Sequence, residues 1–153
     1  PSAVYLLGRI YAVNHHVASR FHYTLTEDEI ILTGPENKSI EDLLVLFYKK
    51  EAKLYLSDRV YELSEQTNFA AESVRITSAK TRWGSCGRQR NIALTWRLMA
   101  HHPDTIDYVI LHELAHIKHP NHGRRFWKQV LDWDSSAHFH RRALKDSRYR
   151  IPL

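Results

Sequence analysis

Asp104-Thr105-Ile106-Asp107-Tyr108-Val109-Ile110-Leu111-His112-Glu113-Leu114-Ala115-His116-Ile117-Lys118 carries apolar residues around most of a helix's circumference. Such a helix has to lie buried between layers. Ionisable side chains are costly there unless they have partners, so His112, Glu113 and His116 call for a joint explanation. At about 100° per residue the two histidines fall about 40° apart on one face. Their imidazoles can converge on one ion, and Glu113 lies to the side, within reach of a water on that ion. This is H-E-x-x-H, two imidazoles for a zinc ion with a carboxylate as general base. Shuffling a chain of this histidine content yields the pattern about 0.05 times, so the buried context adds weight to the match. Pro103 and Asp104 suit the start of the helix.

A zinc site needs a third protein ligand. His119 shares the face but lies 7 residues, or about 10.5 Å of rise, beyond His112. Pro120 disfavours the helical conformation at His119, so the helix is expected to end near there and Pro120-Asn121 to turn His122 back toward the first pair. His122 ranks first as third ligand, one of His138 or His140 second, and Asp132 or Asp134 third. His119, His101, His102, His138 and His140 otherwise read as surface or capping histidines, and His15, His16 and His22 as surface residues.

Working outward, Val4–Leu7, Ile10–Val13, Phe21–Leu25 and Ile30–Leu32 are short apolar or alternating segments broken at Gly8 and stopped at Gly34-Pro35. They predict an antiparallel meander over 1–35. Ser39-Ile40-Glu41-Asp42 fits a capping box. Ile40, Leu43, Leu44, Phe47, Leu54, Tyr55, Tyr61 and Leu63 then recur at helical spacing, so a long amphipathic helix is expected over about 39–64, ending before Asn68. Val74–Ser78 and Asn91–Trp96 flank a Gly-containing connection and read as a hairpin over about 73–97. Helices at about 104–118, 123–133 and 136–147 complete a helical region over 104–150. The expected fold class is α+β, with a small antiparallel or mixed sheet packed against the central H-E-x-x-H helix and further helices. The 153 residues suit one domain.

Hydrophobic residues make up 43% and charged residues 25% of the chain, which argues against disorder. The longest apolar run, Leu43–Tyr48, is far short of the ~20 residues of a membrane span. Cys86 is the single cysteine, so no intramolecular disulfide framework is possible. No basic-apolar-small leader is seen at the start, Pro1, and a cytoplasmic protein is expected. The net charge of +5, concentrated after Gly123, permits nucleic-acid contact without requiring it and otherwise makes a solvated basic helix face.

Three stretches together resemble the YgjP-like metallopeptidases, relatives of the SprT and WLM zinc peptidases. They are Thr81-Arg82-Trp83-Gly84-Ser85-Cys86, Ile106–His116 and Asn121-His122-Gly123-Arg124-Arg125-Phe126-Trp127. The resemblance covers about residues 39–134. It implies a zincin-like fold, one Zn2+ on His112, His116 and His122, and Glu113 as general base. It also implies a peptide or protein substrate hydrolysed by a zinc-bound water. The spacing of the three histidines equals that of the metzincins, but those carry Gly where this chain has His119 and place a Met-turn downstream. Met99, the only methionine, is upstream.

Three histidines leave one zinc position open for water, as in catalytic sites. Arg82, Tyr108 and Tyr149 are candidates for the second electrophile that binds substrate or steadies the oxyanion. The segment Thr81–Cys86 also reads as a tight turn with Trp83 on the core and Cys86 a small buried hydrophobe. Two rival readings follow. With Cys86 as a fourth ligand the site would be closed and structural, and the basic helices a nucleic-acid-binding module without hydrolysis. Alternatively the enzyme is a DNA-associated protease.

Overall fold

The computed structural model describes residues 1–153. Four strands open the chain: β1 (Ala3–Leu6), β2 (Arg9–Val17), β3 (His22–Leu25) and β4 (Glu29–Gly34). They are ordered β1-β2-β4-β3, with β2 and β4 parallel and the other two pairs antiparallel. A meander would place β3 beside β2. The swap follows from burial. Ile30 and Leu32 of β4 are fully buried, whereas β3 is half-buried at one residue and exposed at three, so the apolar strand takes the interior and the polar one the edge. Leu7 and Gly8 turn β1 into β2 with φ of 51° and 80°, as a two-residue hairpin with two left-handed positions requires. The turn docks on a short 3-10 helix, Trp96–Ala100. The Leu7 and Gly8 N–H groups donate to the carbonyls of Met99 and Ala100 at 2.7 and 3.0 Å.

The helix α1 (Ile40–Thr67) begins with the expected capping box. The Asp42 N–H donates to Ser39 Oγ at 3.1 Å, and the Ser39 N–H to Asp42 Oδ2 at 3.3 Å. It runs three residues past the expected 64 and stops where Asn68 takes φ 59°, the left-handed cap that Asn tolerates. Leu43, Leu44, Phe47, Tyr48, Ala52, Leu56, Val60 and Leu63 form its buried stripe. Leu54 and Tyr61, expected on that face, are exposed, because Ala52, Leu56 and Val60 carry the stripe around instead.

The stretch expected as a hairpin is a three-stranded sheet ordered β5-β7-β6, from β5 (Ser73–Thr77), β6 (Gly84–Cys86) and β7 (Asn91–Thr95). The flanking strands β5 and β7 run parallel, and the antiparallel hairpin is β6–β7. The connection between β5 and β7 is too long for a tight turn; residues 78–83 cross over and leave Gly84–Cys86 as a strand of its own.

The remaining helices are α2 (Pro103–Ala115), α3 (Arg124–Trp133) and α4 (Ala137–Ala143). His102 caps α2, its Nδ1 accepting from the Asp104 N–H at 3.1 Å, with Pro103 following. α2 is central: α1, α3, α4 and β6 all pack on it. The fold is thus α+β, with small mixed sheets and four helices around one hydrophobic cluster. No helix is long and apolar enough to cross a membrane.

A forked ion pair joins α1 to α2. Arg59 Nε and Nη2 donate to the two carboxylate oxygens of Asp107 at 2.8 and 2.7 Å, both side chains about three-quarters buried. The paired Asp107 carboxylate holds the Arg59 guanidinium above its ordinary pKa, against the opposing effect of burial. Arg59→Ala strands that carboxylate and is expected to cost about 1–2 kcal/mol after allowing for solvent screening. The urea midpoint should fall at constant m-value; an unmoved midpoint contradicts the assignment.

Candidate metal centre

α2 places His112 and His116 on one face, as the periodicity requires, but the α-helix proper ends at Ala115 rather than near 118. His116 caps it, with φ −64° and ψ −17°. The N–H groups of residues 116–119 tighten onto carbonyls of 113–115, and Pro120-Asn121 then reverses the chain. His122 is carried back over the helix end: its ring centroid lies 5.1 Å from that of His112 and 4.6 Å from that of His116. One ligand nitrogen from each of the three side chains lies within 4.8 Å of the others. Phe126 of α3 is fully buried beneath all three rings, with centroids 4.9, 4.6 and 4.9 Å from His112, His116 and His122. The apolar floor stops the imidazoles from swinging inward.

The outer nitrogens are already committed. His116 Nδ1 lies 3.0 Å from the His119 carbonyl and His112 Nδ1 3.1 Å from Glu113 Oε2. An Nδ1–H donated to each of these oxygens leaves Nε2 as the free donor atom on both rings. The Nε2 atoms of His116 and His122 face each other at 3.0 Å. Two bare lone pairs repel at that distance, so a cation or a proton has to lie between them. Tetrahedral zinc with bonds of about 2.0–2.1 Å needs nitrogens about 3.3 Å apart; the His116–His122 pair is close to that, and three clustered imidazoles are a donor set of the right chemistry for the ion. Desolvation, with His112 and His116 adding to it, holds the His122 imidazole below its ordinary pKa, toward the neutral form a metal needs.

Glu113 is buried, 6% exposed, with His112 as its one polar side-chain neighbour within bonding distance. Gly84 of β6 lies against it: a Cβ there would sit 3.2 Å from Glu113 Cγ, 3.1 Å from the Ala93 carbonyl oxygen and 2.9 Å from a Leu94 methyl. The glycine lets the strand approach the helix. Gly84→Ala is therefore expected to displace the carboxylate and lower peptide turnover about 10–100-fold while leaving metal content unchanged. Wild-type turnover in this variant would remove the role given to that approach.

A cavity of about 290 Å³ opens beside His112 and Glu113 and is lined also by Trp83, Gly84, Tyr108 and Arg141. Tyr108 is buried, and desolvation raises its phenol pKa while Arg141 acts in the opposite direction. Of the three electrophile candidates, the structure brings Tyr108 to this cavity. Arg82 is exposed on the approach to β6. Tyr149 packs edge-on against Tyr5 at 5.0 Å and lines other cavities. Arg141 was missed from the sequence; it lies on α4 with its guanidinium 5.2 Å above the Trp127 ring, and no local pattern sets it apart from the other basic residues there.

The remaining alternatives lie outside the cluster. His140 Nδ1 pairs with Asp134 at 2.7 Å, Asp132 with Lys128 at 3.3 Å, and His138 stacks on Trp127. Each already has a nearer partner. His101, read as surface or capping, is 1% exposed, because Trp83 and Tyr149 close over it. Cys86 is not among the clustered donors. Burial, then Glu113, raises its thiol pKa, and a closed site of three histidines and a cysteine is not formed.

A family model described as YgjP-like, metallopeptidase domain, matches residues 1–147. No curated protein matches significantly. Two solved structures are similar, both described as metallopeptidase zymogens. Jannalysin of Methanocaldococcus jannaschii has a TM-score of 0.51 at 21% identity over 57% of this chain and 90% of that one. Abylysin of Pyrococcus abyssi has a TM-score of 0.51 at 22% identity over 61% and 97%. At that identity the likeness is one of fold.

Proposed function

The chain belongs to the YgjP-like metallopeptidase family and is a metallopeptidase; from this premise we propose that it works as a single zincin-like domain holding one Zn2+ on His112, His116 and His122. The observation that carries the proposal is the convergence of three imidazoles beside a buried carboxylate. Bound zinc would supply Lewis acidity, lowering the pKa of a water to about 7 and polarising a carbonyl. Imidazole nitrogens at tetrahedral spacing suit zinc, and the setting we propose is cytoplasmic.

Glu113 is the general base and acid. Its carboxylate takes the proton of the attacking water and returns it to the leaving amine. Burial away from bulk water and the contact with His112 fix where that carboxylate points. Tyr108 and Arg141 line the same cavity and can donate to the oxyanion that forms on the substrate carbonyl. β6 is an edge strand lying on α2. An extended peptide added to its free side gains register from backbone hydrogen bonds and is held alongside the carboxylate.

The test is reconstitution. Dialysis against a chelator should abolish hydrolysis of an unfolded protein substrate, and about one equivalent of zinc should restore it. Hydrolysis that survives complete metal removal would overturn the proposal.

A further inference from the structure

Next to the catalytic cavity lies a larger one, of about 440 Å³, which shares Trp83, Leu144 and Lys145 with it. Its lining is strongly cationic: Lys80, Arg97, Lys145 and Arg150 stand against one acidic side chain, Asp146. That carboxylate is already spent on Arg148, whose Nε and Nη2 donate to it at 3.0 and 2.7 Å. None of the four lining cations has an ion-pair partner.

Only two buried side-chain polar atoms in the protein have no hydrogen-bond partner, Arg97 Nε and His101 Nδ1, and both belong to residues lining this cavity. Both atoms are shielded from solvent, so they lie behind the cavity wall and do not face a ligand entering it. Trp83 and Tyr149 flank His101, at ring-centroid distances of 5.0 and 5.3 Å. Burial pushes the His101 imidazole pKa down to about 4, so at neutral pH it is an uncharged hydrogen-bonding group between two aromatic walls. The charge comes from the lysines and arginines at the rim.

We propose that this cavity is a substrate subsite for a carboxylate of the bound peptide, either an acidic side chain or the peptide's own C-terminus, close to the bond cleaved. A peptide lying along Glu113 and His112 reaches the second cavity past Trp83 and Lys145, which belong to both. A carboxylate there meets cations without acidic partners, and although Arg97 Nη1 already donates to the Ile151 carbonyl at 3.2 Å, the exposed Arg150 guanidinium can bind it in a planar fork. The concave shape and aromatic walls suit one side chain or chain end better than a nucleic-acid backbone, which needs an extended cationic track.

The inference rests on the peptidase reading, and the test separates the two. Binding is measured on zinc-loaded Glu113→Gln protein by calorimetry, with acetylated peptides carrying Glu or Gln at each position in turn and ending in a free acid or an amide. Cleavage of the same set is measured on the wild type. Tighter binding and higher kcat/KM, about tenfold, are expected for a carboxylate at one position. Loss of the preference on C-terminal amidation assigns it to the chain end, and loss on Glu-to-Gln exchange to a side chain. In Lys80→Gln/Lys145→Gln protein the acid-to-amide ratio should fall severalfold toward one, Arg97 and Arg150 remaining in place, and that ratio is insensitive to the fraction folded. Cleavage without any acid preference overturns the subsite and leaves the peptidase intact. An acid preference unchanged in the double variant also overturns it, as does tighter binding of an oligonucleotide than of any acidic peptide. Carboxylate-selective binding without wild-type cleavage sustains the subsite and removes the peptidase reading.

Discussion

Glu113→Gln is expected to lower peptide turnover about 10²–10⁴-fold while the protein still carries one zinc. The substitution keeps size and shape in a site with no room to spare, since Gly84 lies against this side chain. The amide oxygen can still accept from His112 Nδ1–H, the contact seen at 3.1 Å, so the first ligand stays oriented. What is lost is a group able to take a proton. Metal analysis and single-turnover kinetics on one preparation check both halves. A variant within a few-fold of wild type would mean that another group moves the proton, and Glu113 would be left as a support for His112.

His122→Ala should be at least as damaging, by a different route. His122 is exposed and lies outside any helix or strand, so its removal leaves the buried cluster untouched and the far-ultraviolet circular dichroism unchanged. The two imidazoles left on α2 make an incomplete ligand set, zinc should be lost on dialysis, and hydrolysis should become undetectable. Thermal melting gives a readout free of activity. Zinc at about 100 times its Kd stabilises a binding-competent fold by about 2.7 kcal/mol, or about 5–10 °C for a domain of this size. The wild type should show that rise and His122→Ala should not. His119→Ala is the control, because residue 119 contributes its backbone carbonyl to His116 and its ring lies outside the cluster. A zinc-induced rise that persists in His122→Ala would return the third ligand to open question.

The family resemblance and the α+β class were legible in the chain because the stretches that carry them are short and local. The capping box at Ser39 and Asp42, the paired histidines of α2 and the break at Pro120 each depend on residues within one or two helical turns. Backbone stereochemistry alone turns such spacing into geometry. Legibility failed at the sheets, where pairing partners come from far along the chain. The same alternating segments serve a meander or the observed β1-β2-β4-β3 order, and only the competition for the interior, won by Ile30 and Leu32, selects between them. It failed likewise at His101, which reads like any other histidine until Trp83 and Tyr149 close over it.

The amino-acid sequence by itself determined that two imidazoles share one helical face and ranked His122 ahead of His138, His140, Asp132 and Asp134 as the third, since a helix of period 3.6 followed by a proline break leaves the next histidine free to return. Tertiary packing alone decided what surrounds them. Gly84 reaches Glu113 from β6, Arg141 reaches the cavity from α4, and four unpaired cations from separate segments collect beside it. Those neighbours are tens of residues apart in the chain, and no local periodicity encodes them. They are brought together by the burial of the apolar faces of α1 and α2, which is indifferent to the charges it gathers at the rim.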